Sequence, residues 1–313
     1  SALRAAPIAP IFNDAYGLYH TLPNFQRAQI LNPMTNVALR KGNTISQEYR
    51  AVGSMFAEVD ILRDFTFRGS VLFDYGFNKG RSYTPLTSFY NPDIAGDDKT
   101  DLVGRTTGVA QNQNTIAKIQ TDWLLTYKKV INDHSITAMA GYTTYSTRYE
   151  SVNAERKQGS GDPIPNDPDK WFVGIGSTDT QTGNGNAWER RTVSYLGRVL
   201  YNYQGKYLLN ASYRRDGSSA FIKGNPWQNF GSIGLGWVLS KEAFMENATL
   251  INNLKLKGSY GLLGNQNTGD SYRYPMFPLL VANSSAVFGD NIFPGYEAQY
   301  IADPNLKWET VKA

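Results

Sequence analysis

The chain has 313 residues, no cysteine and a formal net charge of +4 that is spread along the sequence without a basic block. The lack of cysteine excludes disulfide frameworks, thiolate metal sites and cysteine nucleophiles, and the scattered charge disfavours nucleic acid as a partner. No run of 18 apolar residues is present, which excludes a helical membrane span. Transmembrane strands stay open, because each needs only about ten residues, half of them apolar.

Long segments of alternating character begin at residues 50–61 and recur along the chain. The clearest is 65–77, where aromatic and aliphatic groups take most odd positions while Arg68 and Asp74 lie on the other face. Such alternation predicts a strand with one apolar and one polar face. Six more segments share it: residues 119–128, 136–142, 193–203, 207–214, 232–240 and 254–262. A ninth strand begins near residues 306–311.

The connections between these strands alternate between short and long. Tight hairpin turns are predicted at Leu62–Asp64, Asn132–Asp133 and Gln204–Gly205, and residues 241–252 form a fourth short connection. The long connections are residues 78–113, 150–191, 217–226 and 264–305. One end of the sheet therefore has only short connections and the other only long ones. This asymmetry favours an all-β, antiparallel transmembrane barrel, with short periplasmic turns and long extracellular loops, over a soluble up-and-down sheet.

On this interpretation the polar strand faces line a wet interior. The side chains predicted to face this lumen are Arg68, Asp74, Asp122, Lys128, Arg198, Asn202 and Arg214. Val71 and Leu209 represent the lipid side, and aromatic residues near the strand ends are expected to form girdles at the membrane interfaces.

The long loops carry the candidate ligand-binding groups. Trp171, Phe172 and Trp188 fall in one predicted loop, and we expect their rings to contact a ligand, since exposed rings stack on sugars and grip peptide side chains. For each ring the alternative is that it packs the loops against one another.

Metal-binding and catalytic patterns are weak. Asp93, Asp97, Asp98 and Asp101 cluster in one loop and offer oxygen ligands of the kind calcium takes, but their spacing departs from the twelve-residue calcium loop, which favours a solvated acidic loop. His134 adjoins a predicted turn, and neither a G-x-S-x-G elbow nor a phosphate-binding glycine loop is present. We therefore predict no catalytic residue, metal or cofactor.

Three segments in the second half of the chain are distinctive. They are RDGSSAF…NPWQNFGSIGLGWVLSKEAFM at 215–245, NNLKLKGSYGLLGNQN at 252–267 and DPNLKWET at 303–310. In this order they resemble the signatures of SusC/RagA-like TonB-dependent outer-membrane transporters. Segments at 22–40, 124–142 and 194–219 fit the same family, so the resemblance covers nearly the whole chain except the long loops.

The resemblance implies a 22-stranded barrel in the outer membrane, plugged by an N-terminal domain. It implies import of large nutrients, glycans or peptides, with energy from TonB and with a SusD-like lipoprotein over the extracellular mouth, and no enzyme activity. Residues 1–313 would then be about nine strands of a single barrel domain, with the plug and the remaining strands outside this chain.

Two other functions stay open on the sequence. A small outer-membrane barrel acting as an adhesin or hydrolase would need paired acid and base groups at its rim. A soluble carbohydrate-binding β-sandwich would keep the alternating strands but would not need detergent.

Overall fold

A computed structural model describes residues 10–22, 32–34, 37, 41–221, 226–247, 250–268, 276–303 and 305–313. Most of the family-like segment 22–40 lies outside the described residues, as do residues 222–225 and 304 of the later segments. Within the described part of the chain, no helix is long and apolar enough to cross a membrane.

Fifteen strands are defined in the described residues. In chain order they are β1 (Phe12–Asn13), β2 (Leu18–Tyr19), β3 (Thr44–Leu62), β4 (Phe65–Thr84), β5 (Thr87–Tyr90), β6 (Thr100–Gly104), β7 (Gly108–Ile131), β8 (His134–Lys157), β9 (Thr182–Tyr203), β10 (Tyr207–Ser218), β11 (Trp227–Val238), β12 (Lys255–Asn265), β13 (Leu280–Phe288), β14 (Asn291–Ala298) and β15 (Glu309–Lys312).

Nine of these strands form one antiparallel sheet in the order β15-β12-β11-β10-β9-β8-β7-β4-β3. Neighbours in the sheet are consecutive main strands of the chain, as in an up-and-down meander, while β1–β2, β5–β6 and β13–β14 are separate hairpins. The prediction of eight long strands followed by a ninth is therefore confirmed.

The main strands are longer than predicted. β4 has 20 residues and β7 and β8 have 24 each, whereas crossing a bilayer takes about 10. The predicted ends of the long connections 78–113 and 150–191 are consequently wrong, since pairing continues to Thr84 and Lys157 and resumes at Gly108 and Thr182. Polar residues and glycines take most positions on both faces of these extensions, so they lack the regular apolar alternation by which a strand is recognised.

The short turns agree with the prediction. Asn132 and Gln204 have φ values of 51° and 52°, and Gly205 follows at 64°. Hairpin turns favour positive φ because it matches the twist of the flanking strands. In the fourth short connection, 3-10 turns occupy Leu239–Lys241 and Ala243–Met245.

Two compact units are distinguished within the chain. The first comprises residues 1–50, 75–116 and 149–188, and its core contains Tyr83, Val109, Ile164 and Trp171, with Ile45 packed against them. The second comprises residues 51–74, 117–148 and 189–313, and its core is Ala220, Phe221, Phe230 and Trp308, with Leu306 at the margin.

Candidate functional site

A network of polar side chains joins β4, β7 and β8 on one face of the second unit. The Asp122 carboxylate accepts hydrogen bonds from Ser70 Oγ at 3.3 Å, Gln120 Nε2 at 3.0 Å and Thr143 Oγ1 at 2.9 Å. Nearby, Lys118 Nζ lies 3.2 Å from Asp74 Oδ2. Asp74 is buried, and buried charges normally need a partner of this kind.

A second polar network joins β9 and β10, on the polar face of these two strands. Arg214 donates from Nε to Asp216 Oδ1 at 2.6 Å and from Nη2 to Ser194 Oγ at 3.0 Å. Asp216 and Ser194 are buried, whereas the Arg214 side chain is half exposed. The guanidinium is therefore held in place by Asp216 and Ser194, and its remaining N–H donors are accessible to solvent or a solute.

The other predicted lumen residues have more local contacts. Arg198 Nε donates to Asn210 Oδ1 at 3.3 Å, and Asn202 Oδ1 accepts from the backbone N–H of Gly205 at 2.8 Å, which stabilises the turn. The Arg68 guanidinium lies 4.4 Å from the centre of the Phe56 ring, and Lys128 is exposed. The seven residues are spread along a polar face and do not converge on one point.

A recess of about 690 Å³ opens on this polar face beside β10, β11 and β12. Asn202, Asn210, Lys255, Lys257 and Ser259 contribute to its lining. The two lysines belong to the site but were not among the seven predicted residues. Their signal was the alternation of Lys255 and Lys257 with Leu256, which places both amines opposite the apolar side chain.

Aromatic side chains cover the opposite face of the sheet. Ring pairs with centroids 4.8–6.2 Å apart are Phe65–Tyr127, Phe67–Trp123, Tyr142–Tyr195 and Tyr195–Trp227. At the hairpin-turn ends, Tyr203, Tyr207 and Trp237 are cross-strand neighbours and form one row of rings. These are contacts that an aromatic girdle requires.

Glu242 lies beside this row, in the connection after β11. Its Oε1 accepts from the Trp237 indole N–H at 2.9 Å and the Tyr207 hydroxyl at 2.7 Å, and its Oε2 lies 3.3 Å from Lys206 Nζ. The hydrogen bonds from Trp237 and Tyr207, followed by that from Lys206, lower the pKa of the Glu242 carboxyl below its ordinary value.

The structure separates the three predicted ligand rings. Trp171 is only 1% exposed and stacks on Tyr83 at 5.7 Å and 7°, so its prediction as an exposed ligand contact is wrong. Phe172 is 48% exposed and lies under the Arg81 guanidinium, 4.3 Å from its ring centre. Adjacent residues of one irregular segment have opposite exposure because only Trp171 meets the unit's core.

Trp188 does not share the loop of the other two, because it lies within β9. Its ring stacks on Tyr149 of β8 at 5.6 Å. Along β9 it has the same parity as Ser194 and Arg198, so alternation assigns it to the polar face. Trp188 and Tyr149 therefore form a stacked pair between β8 and β9, and a ligand contact at Trp188 stays a prediction.

The acidic loop and His134 have local roles in the structure. Asp98 Oδ1 accepts from the Thr100 backbone N–H at 2.9 Å, a bond that lowers the Asp98 pKa, and Asp101 Oδ2 accepts from Asn91 Nδ2 at 3.0 Å. His134 Nδ1 lies 2.7 Å from the Tyr201 hydroxyl. Among the residues described, no group of three or more His, Cys, Asp or Glu is placed to hold a metal ion.

Sequence relatives are receptors. The chain is 27% identical over 279 residues to TonB-dependent receptor P39 of Formosa agariphila, a match to 89% of this chain and 24% of the relative. It is 28% identical over 322 residues to TonB-dependent receptor P26 of the same organism, covering 100% and 30%. TonB-dependent receptor SusC of Bacteroides thetaiotaomicron is 38% identical over 120 residues, which is 37% of this chain and 12% of SusC. The chain thus spans less than a third of the length of these relatives.

Solved structures share the fold. One described as the RagAB peptide transporter matches with a TM-score of 0.71 at 19% identity, over 90% of this chain and 29% of that one. The RagAB peptide importer in its closed-closed state gives 0.70 at 18% identity, over 94% and 30%. No family model matches the sequence. In its sequence relatives, its nine-stranded meander and its shared fold, the chain is therefore similar to a β-barrel segment of SusC/RagA-like TonB-dependent receptors.

Proposed function

We propose that residues 1–313 form part of the barrel wall of an outer-membrane, TonB-dependent importer of large nutrients. The observation that carries the proposal is the two-faced sheet, in which stacked rings cover one side while Asp74, Asp122 and Arg214 anchor polar networks on the other. A wall between lipid and a water-filled lumen requires this division. The receptor relatives support the transport role.

The proposal includes the whole protein's partners. Energy reaches the importer from TonB through a plug outside this chain, and a SusD-like surface lipoprotein covers the mouth. The cargo is an oligosaccharide or a peptide, for which Trp188 and Tyr149 supply stacking surfaces. Enzyme activity is no part of this function, since the polar-face groups engage one another as structural networks.

Cysteine scanning tests the membrane placement, because the segment has no cysteine of its own. Leu209→Cys and Asn210→Cys are adjacent positions on opposite faces of β10. In the full-length receptor in native membranes, we expect a water-soluble maleimide to modify Asn210→Cys at least tenfold faster than Leu209→Cys. Equal rates at the two positions would remove the lipid and lumen assignment.

Orientation and transport need separate variants. Whole cells exposed to an impermeant maleimide should be labelled at Asp162→Cys in a long connection but not at Asp133→Cys in a short turn. The double variant Trp188→Ala/Tyr149→Ala should reduce uptake of labelled peptide and maltooligosaccharide mixtures several-fold while outer-membrane abundance is unchanged. Unchanged uptake of both mixtures would exclude this aromatic pair from the cargo path.

A further inference from the structure

The segment between β8 and β9 folds onto the aromatic side of the first unit. Trp171 stacks on Tyr83 of β4, and the Tyr83 hydroxyl donates to the Ile164 carbonyl at 2.9 Å. Along β4, Tyr83 has the same parity as Tyr75 and Phe77, the residues that continue the aromatic face. The segment therefore packs on the side of β4 that carries Tyr75, Phe77 and Tyr83.

A recess of about 300 Å³ lies beside this packed segment, within the first unit. It is lined by Gln47 of β3, Lys79 and Arg81 of β4, Gln111 and Gln113 of β7, and Phe172 of the folded segment. Gln111 is held in place, because its Oε1 accepts from the Val173 backbone N–H at 3.0 Å. The amide nitrogen of the same side chain remains a donor.

The two cations of the recess are supported by rings and not by carboxylates. The Arg81 guanidinium lies 4.3 Å from the centre of Phe172, and Lys79 Nζ lies 5.8 Å from the centre of Tyr49. Within the described part of the chain, no carboxylate forms an ion pair with either group. A guanidinium stacked on a ring keeps its in-plane N–H donors, which suit the oxygens of a phosphate.

The order of residues along the outer face of β4 indicates where the recess lies relative to the membrane. Tyr75 and Phe77 come first, and Lys79 and Arg81 follow at the next two positions of the same face. Aromatic rings prefer the headgroup level of a membrane, and basic pockets just beyond it bind anionic lipid head groups. This step rests on the proposed outer-membrane location, in which the long connections are extracellular. In that orientation the order of residues along β4 places Lys79 and Arg81 at the level of the lipid phosphates in the outer leaflet.

We infer that the recess of Lys79, Arg81, Gln47, Gln111, Gln113 and Phe172 binds the phosphate group of an outer-leaflet glycolipid. The guanidinium and the amine neutralise the phosphate, and the glutamine amides donate to its oxygens or to the sugar that bears it. The acyl chains of the lipid lie along Tyr75 and Phe77, which precede the two cations on the same face of β4. Lipid at this position stabilises the fold of the 158–181 segment against the wall, because Arg81 contacts both.

The test uses the full-length receptor in detergent micelles, with diphosphoryl lipid A as the probe and native mass spectrometry as the readout. The double variant Lys79→Gln/Arg81→Gln should bind the probe at least tenfold more weakly than the unchanged receptor. Fully dephosphorylated lipid A should bind the unchanged receptor at least tenfold more weakly than the probe. The matched control is Lys157→Gln/Lys170→Gln, which makes the same charge change at exposed cations of the same unit that pair with Glu155 and Asp167.

Three results would overturn the inference. They are equal binding by the Lys79/Arg81 variant, equal binding of the dephosphorylated lipid, and displacement of the probe by an equal concentration of inorganic phosphate, which would indicate a site for soluble anions. The maleimide experiment separates the two proposals. If the labelling rates of Leu209→Cys and Asn210→Cys differ as expected but Lys79→Gln/Arg81→Gln binds lipid A normally, only the glycolipid site is wrong. Equal labelling rates at the two positions would remove the membrane placement on which that site rests.

Discussion

The two faces of the sheet are stabilised by different means. On the aromatic face, neighbouring strands contact through ring pairs such as Phe67–Trp123 and Tyr195–Trp227, and Trp123, Tyr195 and Trp227 remain exposed. On the polar face, Asp74 and Asp216 are buried in hydrogen-bonded networks. These two buried carboxylates therefore have fixed, satisfied contacts on the polar face, while the aromatic face presents a surface suited to a surrounding apolar medium.

Charge placed on each face gives the largest contrast. Val71→Arg or Leu209→Arg should destabilise the folded receptor by about 2–4 kcal/mol if the position is at the bilayer midplane, because the guanidinium replaces an apolar group in hydrocarbon. The free energy of unfolding in lipid vesicles, measured by guanidinium titration, reports this change.

The matched substitution on the polar face is Gln120→Arg. Its side chain would meet Asp122, to which Gln120 already donates, so we expect a change of less than about 1 kcal/mol. Similar losses for Leu209→Arg and Gln120→Arg would show that the two faces do not differ in their surroundings.

The ion pair between Asp74 and Lys118 should be worth more than an exposed pair. Asp74→Asn is expected to cost about 1–3 kcal/mol of unfolding free energy, because it leaves the Lys118 amine without its charged partner in a partly buried place. A double-mutant cycle with Lys118→Gln isolates the coupling between the two side chains.

Arg191 and Glu189 supply the control cycle, since their side chains are 70% and 38% exposed. Exposed pairs contribute little to stability because solvent screens them, so Arg191→Gln and Glu189→Gln should show the smaller coupling. If that pair were as strongly coupled as Asp74 and Lys118, burial of the polar face would have no role in its stability.

How far the sequence predicts this molecule depends on where a strand has two unlike faces. From Phe65 to Phe77 aromatic and polar residues alternate, and both the strand and its two faces follow from that pattern. From Asn78 to Thr84 the strand continues with Lys79 and Arg81 on its outer face, so the hydropathy contrast ends while the backbone pairing does not. The extensions of β7, β8 and β9 were missed for the same reason.

The candidate site was predictable in part. Alternation alone assigned Asp122, Arg198 and Arg214 to one face, and it also contained the signal for Lys255 and Lys257. The positions of Trp171 and Trp188 depended on tertiary packing and on the true end of the loop. Ring type and spacing do not reveal that Trp171 is buried on Tyr83, because that contact joins residues 88 positions apart.

Glu242 marks the place where the aromatic face meets a charge, and its pH response is the smallest effect we predict. Hydrogen bonds from Trp237, Tyr207 and Lys206 lower the carboxyl pKa in the folded protein, so the stabilisation is present above the unfolded-state pKa of about 4.3. It is lost as the pH falls through the lower, folded-state pKa. Glu242→Gln should therefore lower the melting temperature at pH 7, with the difference shrinking in strongly acidic buffer.

Glu246→Gln is the control for this effect, since Glu246 is an exposed carboxylate four residues away. Its melting temperature should follow that of the unchanged receptor across the pH range, as followed by tryptophan fluorescence. A Glu242→Gln difference that persists unchanged in strong acid would mean that the carboxylate's charge contributes nothing. The row of Tyr203, Tyr207 and Trp237 would then be held by ring packing and uncharged hydrogen bonds alone. The aromatic face would in that case be stabilised without any contribution from charge at the hairpin-turn end as well.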